Sequence, residues 1–123
     1  YHKLRIVWLG FSPKTMRDLE MGCHHTSSKY VTGFGRYKQD LSDIFAEFHR
    51  VLTKDGKVCL IIGDAQVEKR RIDILSLVKE LAIQHRFEIE DVSSQKLKKT
   101  TRSFNTKFST SGKNEYMLLM HRF

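Results

Sequence analysis

The chain has 123 residues, a single proline, two cysteines and a formal charge of +8. That length bounds the fold to at most one domain with a modest core. No apolar run approaches the ~20 residues of a membrane span and no secretory signal is visible; two cysteines without a disulfide framework suit a reducing, cytoplasmic setting.

Leu4, Val7, Trp8 and Phe11 repeat at helical spacing and predict a short amphipathic helix within 1–10. Ser12-Pro13 restarts a helix, serine as cap and proline in the first position, with Met16 and Leu19 inward. Residues 22–36 hold three glycines and several Ser and Thr without periodic pattern, and are read as a long surface loop of the functional or mobile kind. Cys23-His24-His25 lies inside it. Adjacent ligands cannot close a tetrahedral site and no second Cys/His pair stands at zinc-finger spacing, so no metal is expected. Gly33-Phe34-Gly35 lacks the preceding strand that a nucleotide-binding turn requires, and reads as a turn into the next helix.

That helix, from Tyr37 to Leu52, carries Leu41, Ile44, Phe45, Phe48, Val51 and Leu52 on one stripe. Gly56 is read as the left-handed residue that ends it. Val58-Cys59-Leu60-Ile61-Ile62 then runs without a polar residue, as a strand buried on both faces of a parallel sheet does. Cys59 would be buried there, so with Cys23 it makes no disulfide framework. Gly63-Asp64 stops the strand at its carboxyl end, where open α/β folds place their ligands. After the polar link 66–71, Asp73 caps a helix with Ile74, Leu75, Val78, Leu81 and Ala82 inward, ending near His85. Phe87–Val92 begins as an alternating strand, with Glu88 and Glu90 on its solvated side, and Tyr116–Met120 is a second apolar run.

Between these strands, residues 95–113 contain Lys96, Lys98, Lys99, Arg102, Lys107 and Lys113 and no acidic residue, six of the eight net charges. Phe104 and Phe108 are interleaved with them. Cations pair phosphates and aromatic rings stack bases, so the loop is a candidate nucleic-acid contact through Lys96, Lys98, Lys99, Arg102, Phe104, Lys107 and Phe108. A solvated basic loop whose phenylalanines fold back on the sheet is the alternative.

The segment Phe45–Gly56, FAEFHRVLTKDG, resembles the E-x-x-R-V-L-K-P-G-G approach to the fifth strand of S-adenosylmethionine-dependent methyltransferases. It is most similar to those that methylate exocyclic amines of nucleic acids, the DNA adenine-N6 and cytosine-N4 enzymes and their RNA-modifying relatives. Ile62-Gly63-Asp64 resembles their V-G-N/D turn, and Tyr1 to Gly10 resembles the segment just after their Ser/Asp/Asn-Pro-Pro-Tyr motif. The resemblance implies the C-terminal half of a Rossmann-like class I methyltransferase sheet, ordered helix, strand, helix, strand, long hairpin, strand. It also implies that the last strand inserts antiparallel between the two before it, with Gly63 and Asp64 on the substrate side.

Both chemical motifs of that family are missing. The lone Pro13 is flanked by Ser12 and Lys14, and no Asp/Asn-Pro-x-x-Gly-x-Gly turn occurs. Residues 1–123 are therefore expected to be one partial domain, without catalytic or cofactor-binding residues of its own. S-adenosylmethionine would be used only by a complete protein whose upstream half precedes Tyr1. DNA or RNA would be its partner, and the exposed sheet edge could self-associate. The rival expectation is a small stand-alone α/β nucleic-acid-binding module using loop 95–113.

Overall fold

The computed structural model describes residues 2–19, 21, 30–67, 70–96 and 113–123. Side chains 2–3, 30–32, 66–67 and 70 are not part of that description. Two short helices, α1 (His2–Trp8) and α2 (Pro13–Leu19), precede the long α3 (Tyr30–Val51). Strand β1 (Lys57–Gly63), a small hairpin of β2 (Ala65–Val67) and β3 (Arg70–Ile72), and α4 (Ile74–Gln84) follow, then β4 (Phe87–Lys96) and β5 (Asn114–Arg122). The fold is mixed α/β.

The main sheet has the order β1-β5-β4, and β5 is antiparallel to both neighbours. β1 and β4 therefore run in the same direction, joined through α4, with the last strand filling the place between them. This is the insertion the resemblance implies. The sheet is not parallel, however, and β1 is not buried on both faces. Its accessibility alternates along all seven residues, with Val58, Leu60 and Ile62 turned toward the core and Cys59 and Ile61 exposed. An apolar residue on an uncovered face keeps the strand propensity and loses only its burial, so the run of five apolar residues looks the same in sequence.

Phe45, Phe87, Ile74, Val78, Leu81, Leu118 and Met120 form the core, between α3, α4 and the inner face of the sheet. Phe45 meets Phe87 edge-on at 5.8 Å between ring centres, and the His85 ring stacks with Phe45 at 6.2 Å. Each such side chain removed from water is worth about 1.5–3 kcal/mol. On α3, Leu41 and Phe45 are buried and Phe48 and Leu52 half-buried, whereas Ile44 and Val51 at the edge of the stripe face out. On α4 the expected inward residues are buried or half-buried, and Leu77 joins them. Asp73 caps α4, accepting the Ser76 N–H at 3.1 Å and its hydroxyl at 2.7 Å.

Three further expectations are corrected. Helix α3 starts at Tyr30 and takes in Gly33 and Gly35, so only 22–29 of the expected loop 22–36 remain, and these lie outside the described residues. Both glycines lie inside the helix; Gly33 is buried, and a Cβ on Gly35 would meet open space. The left-handed residue after α3 is Asp55, at φ 63°, and not Gly56. A Cβ on Gly56 would lie 2.8 Å from the Thr53 carbonyl oxygen, so this glycine is set by space. Finally, the apolar sides of α1 and α2 do not face a core. Ile6 is buried, while Leu4, Val7, Trp8, Leu9, Phe11, Met16 and Leu19 are exposed, Trp8 by 89 %.

Candidate functional site

Gly63 and Asp64 stand at the carboxyl end of β1, as expected, and the geometry there is a clamp. The Asp64 N–H donates to the Asn114 carbonyl at 2.9 Å, and the Asn114 N–H donates to Asp64 Oδ2 at 2.9 Å. Arg71 Nη2, from the β2–β3 hairpin, lies 3.5 Å from the same carboxylate oxygen, and the Asp64 side chain is only 8 % exposed. A carboxylate this enclosed requires such donors. Its visible work is to lock the end of β1 to the start of β5. A Cβ on Gly63 would come no closer than 3.8 Å to the Asn114 oxygen, so that glycine is not demanded by space.

The same clamp brings the basic stretch into the neighbourhood. Lys96, the last residue of β4, is the ladder partner of Asn114, and Lys113 immediately precedes it. The carboxyl end of β1 and both roots of the loop thus share one end of the sheet. Lys98, Lys99, Arg102, Phe104, Lys107 and Phe108 lie outside the described residues. Two features found separately in the sequence, the Gly-Asp turn and the basic connection, converge because β5 is inserted between β1 and β4.

Sequence reasoning missed a charged group at the opposite end of the sheet. Lys57 Nζ lies 2.8 Å from Glu90 Oε2, His121 Nδ1 lies 3.2 Å from Glu90 Oε1, and His121 Nε2 lies 3.6 Å from Glu88 Oε2. The hydrogen bond from Lys57 is the main reason the Glu90 carboxyl is held below its usual range. Glu90 is thus the ion-pair partner of Lys57, and Glu88 and Glu90 both lie beside the His121 ring. The cross-strand register that brings them to Lys57 and His121 leaves no local mark in a sequence. Near the core, burial, and then the positive charges of Arg122 and Arg86, push the His49 imidazole toward its neutral form. Among the described residues no three His, Cys, Asp or Glu side chains converge to hold a metal ion; Cys23-His24-His25 lie outside them.

The described residues do not fit S-adenosylmethionine. β1 passes through Asp64 into β2, not into a helix. The strand-to-helix junction at Ile72–Ile74 carries Asp73, whose carboxylate already occupies the donors of the first turn. No glycine-rich cradle stands at either point, and no step of a transfer reaction can be assigned to these side chains.

No family model and no curated protein matches the chain. Solved structures do. A protein of Thermus thermophilus assigned as a DNA modification methylase matches in its selenomethionine form with a TM-score of 0.56 and 16% identity, over 76% of this chain and 39% of that one. Its complex with S-adenosyl-L-methionine matches with a TM-score of 0.55 and 16% identity, over 76% of this chain and 40% of that one. The chain therefore spans about two-fifths of the length of the solved structures it matches. At this identity the likeness is one of fold.

Proposed function

We propose that the chain is the C-terminal part of an S-adenosylmethionine-dependent methyltransferase acting on exocyclic amines of DNA. The observation that carries this reading is the insertion of β5, antiparallel, between two strands that run the same way, following a segment that resembles the family's approach to that sheet. The fold likeness to a DNA modification methylase over two-fifths of its length supports both the class and the partial span. Its name favours DNA over RNA. In this reading the cofactor and the target amine are held by an upstream half of the same protein. The chain contributes the closing part of the sheet and, on the sheet end shared with Gly63 and Asp64, the basic loop that meets the nucleic acid.

The test is transfer of labelled methyl from S-adenosylmethionine by the protein extended through the reading frame upstream of Tyr1. Label on adenine N6 or cytosine N4 of duplex DNA is expected, with none from residues 1–123 alone. An upstream frame without a Pro-Pro-aromatic motif, or saturable micromolar binding of the cofactor by residues 1–123, would sink the reading. Label on RNA only would move the substrate and leave the chemistry.

A further inference from the structure

The positive charge of the chain belongs to two segments. Residues 1–17 hold Lys3, Arg5, Lys14 and Arg17, and residues 95–113 hold six further cations. All 14 Asp and Glu lie outside both segments, whose ten cations exceed the net charge of +8. The first segment folds into α1 and the start of α2, joined by a closed turn. Gly10 takes φ 80°, its N–H donates to the Val7 carbonyl at 2.9 Å, and the Phe11 N–H donates to the Ile6 carbonyl at 3.1 Å. This pair of bonds ends a helix on a left-handed glycine. With Ile6 buried, α1 turns its other sides to solvent, Trp8 by 89 %. Leu4, Arg5, Trp8 and Leu9 line a cleft of about 480 Å³ there. Phe11 and Lys14 are exposed beyond the turn. Among the described residues no ion pair engages Arg5 or Lys14. The Arg36 guanidinium, in the first third of α3, donates to the Asp18 carbonyl of α2, and α3 packs on β2, the strand that follows Asp64. From there α3 runs to Leu52, whose carbonyl Arg122 holds at the opposite end of the sheet. α2 is thus tied to the part of α3 that lies away from Arg122.

We propose that α1 and the start of α2 form a second nucleic-acid contact, in which the Trp8 indole stacks on an unpaired base and Arg5 and Lys14 pair the neighbouring phosphates. The class of partner rests on the reading above; the surface is separate from loop 95–113. Cations without acidic neighbours attract a polyanion, and an exposed ring beside them offers a face on which any base can stack. A single strand presents base faces that a duplex keeps stacked, so the single strand is the preferred form. An anionic lipid surface would share the charge but not the shape. Helices that lie in a membrane surface gain from the apolar area they bury, and α1 has only seven residues. A cleft of about 480 Å³ falls instead among the pockets of roughly 300–1,000 Å³ that take a discrete organic group.

The test uses the protein extended through the reading frame upstream of Tyr1. Its probes are a DNA oligonucleotide in single-stranded, duplex and abasic forms, and phosphatidylserine vesicles. Trp8→Leu keeps an apolar side chain and removes the stacking face, and Trp8→Phe restores one. Trp8→Leu should weaken single-strand binding by roughly 5- to 150-fold, with little change in salt slope and little effect on the abasic strand or the duplex. Trp8→Phe should recover most of that loss. Lys14→Ala should weaken all three forms alike and flatten the salt slope by about one unit. Equal single-strand affinity of wild type and Trp8→Leu would overturn the contact, as would an equal loss on the abasic strand or tighter binding to the vesicles than to the oligonucleotide. A lowered melting temperature of Trp8→Leu would overturn it too, because the ring would then be packed against protein. Methyl transfer with binding indifferent to Trp8 refutes this contact alone, and Trp8-dependent binding without transfer refutes the methyltransferase reading alone.

Discussion

Gly56 has to be glycine, although not for the reason its position after a helix suggests. Asp55 takes the left-handed conformation, which a short polar side chain tolerates, and Gly56 sits where a methyl group would strike the Thr53 carbonyl and Leu52. Its carbonyl accepts the Arg122 N–H, while Asp55 N–H donates to the Arg122 carbonyl, so the turn is stitched to the last strand. The Arg122 guanidinium also donates to the Leu52 carbonyl at the end of α3. Gly56→Ala should therefore cost about 1–3 kcal/mol in denaturant melts, because the backbone it strikes is held from two sides. An unchanged midpoint would show that the turn can open. The Lys54-Asp55-Gly56 sequence made the turn legible. Which of its two residues would bear the positive φ was not, since that depends on the space above Leu52 and Thr53.

At the scale of elements, periodicity located the helices well and their partners poorly. Pro13 opens α2 and Asp73 caps α4 as the local chemistry requires, because a cap is decided within four residues. The apolar sides of α1 and α2 were legible as sides, but nothing in the sequence says whether a neighbour covers them. β1 shows the same limit, since five apolar residues in a row concealed an inner and an outer face. The structure separates them, and so separates two substitutions that look equivalent in sequence. Leu60 faces Leu118 on the inner face, and Leu60→Asp should cost at least about 2 kcal/mol, a large share of the margin of a small domain. Ile61→Asp faces water in the isolated chain and should leave its melting temperature nearly unchanged. Paired thermal melts of the two variants check this. Equal losses would mean that the outer face is covered even when the chain is alone.

For the molecule as a whole, the useful fact is convergence at one sheet end. No pattern in residues 95–113 indicates that Lys96 and Lys113 emerge beside the carboxyl end of β1. That depends on β5 entering between its neighbours, an order the family resemblance implied and hydrophobic periodicity could not. Six of the eight net positive charges belong to this stretch, whose described ends Lys96 and Lys113 lie at the sheet end that bears Gly63 and Asp64, so in the proposed function a polyanion would be drawn to that end. Lysines that meet phosphates release counterions regardless of base sequence. Lys98→Ala with Lys99→Ala should accordingly weaken binding almost equally for all sequences, and flatten the dependence of log affinity on log salt by about one unit for each phosphate left without its cation. A phenylalanine that stacks on a base releases no counterion. Phe104→Ala should cost about 1–3 kcal/mol on single strands and leave the slope nearly unchanged. Titrating duplex and single-stranded DNA across a salt series separates the two contributions, preferably with the upstream portion attached. Unchanged affinity and slope in both variants would reduce the loop to a solubilising surface and take from the sheet end its claim on nucleic acid.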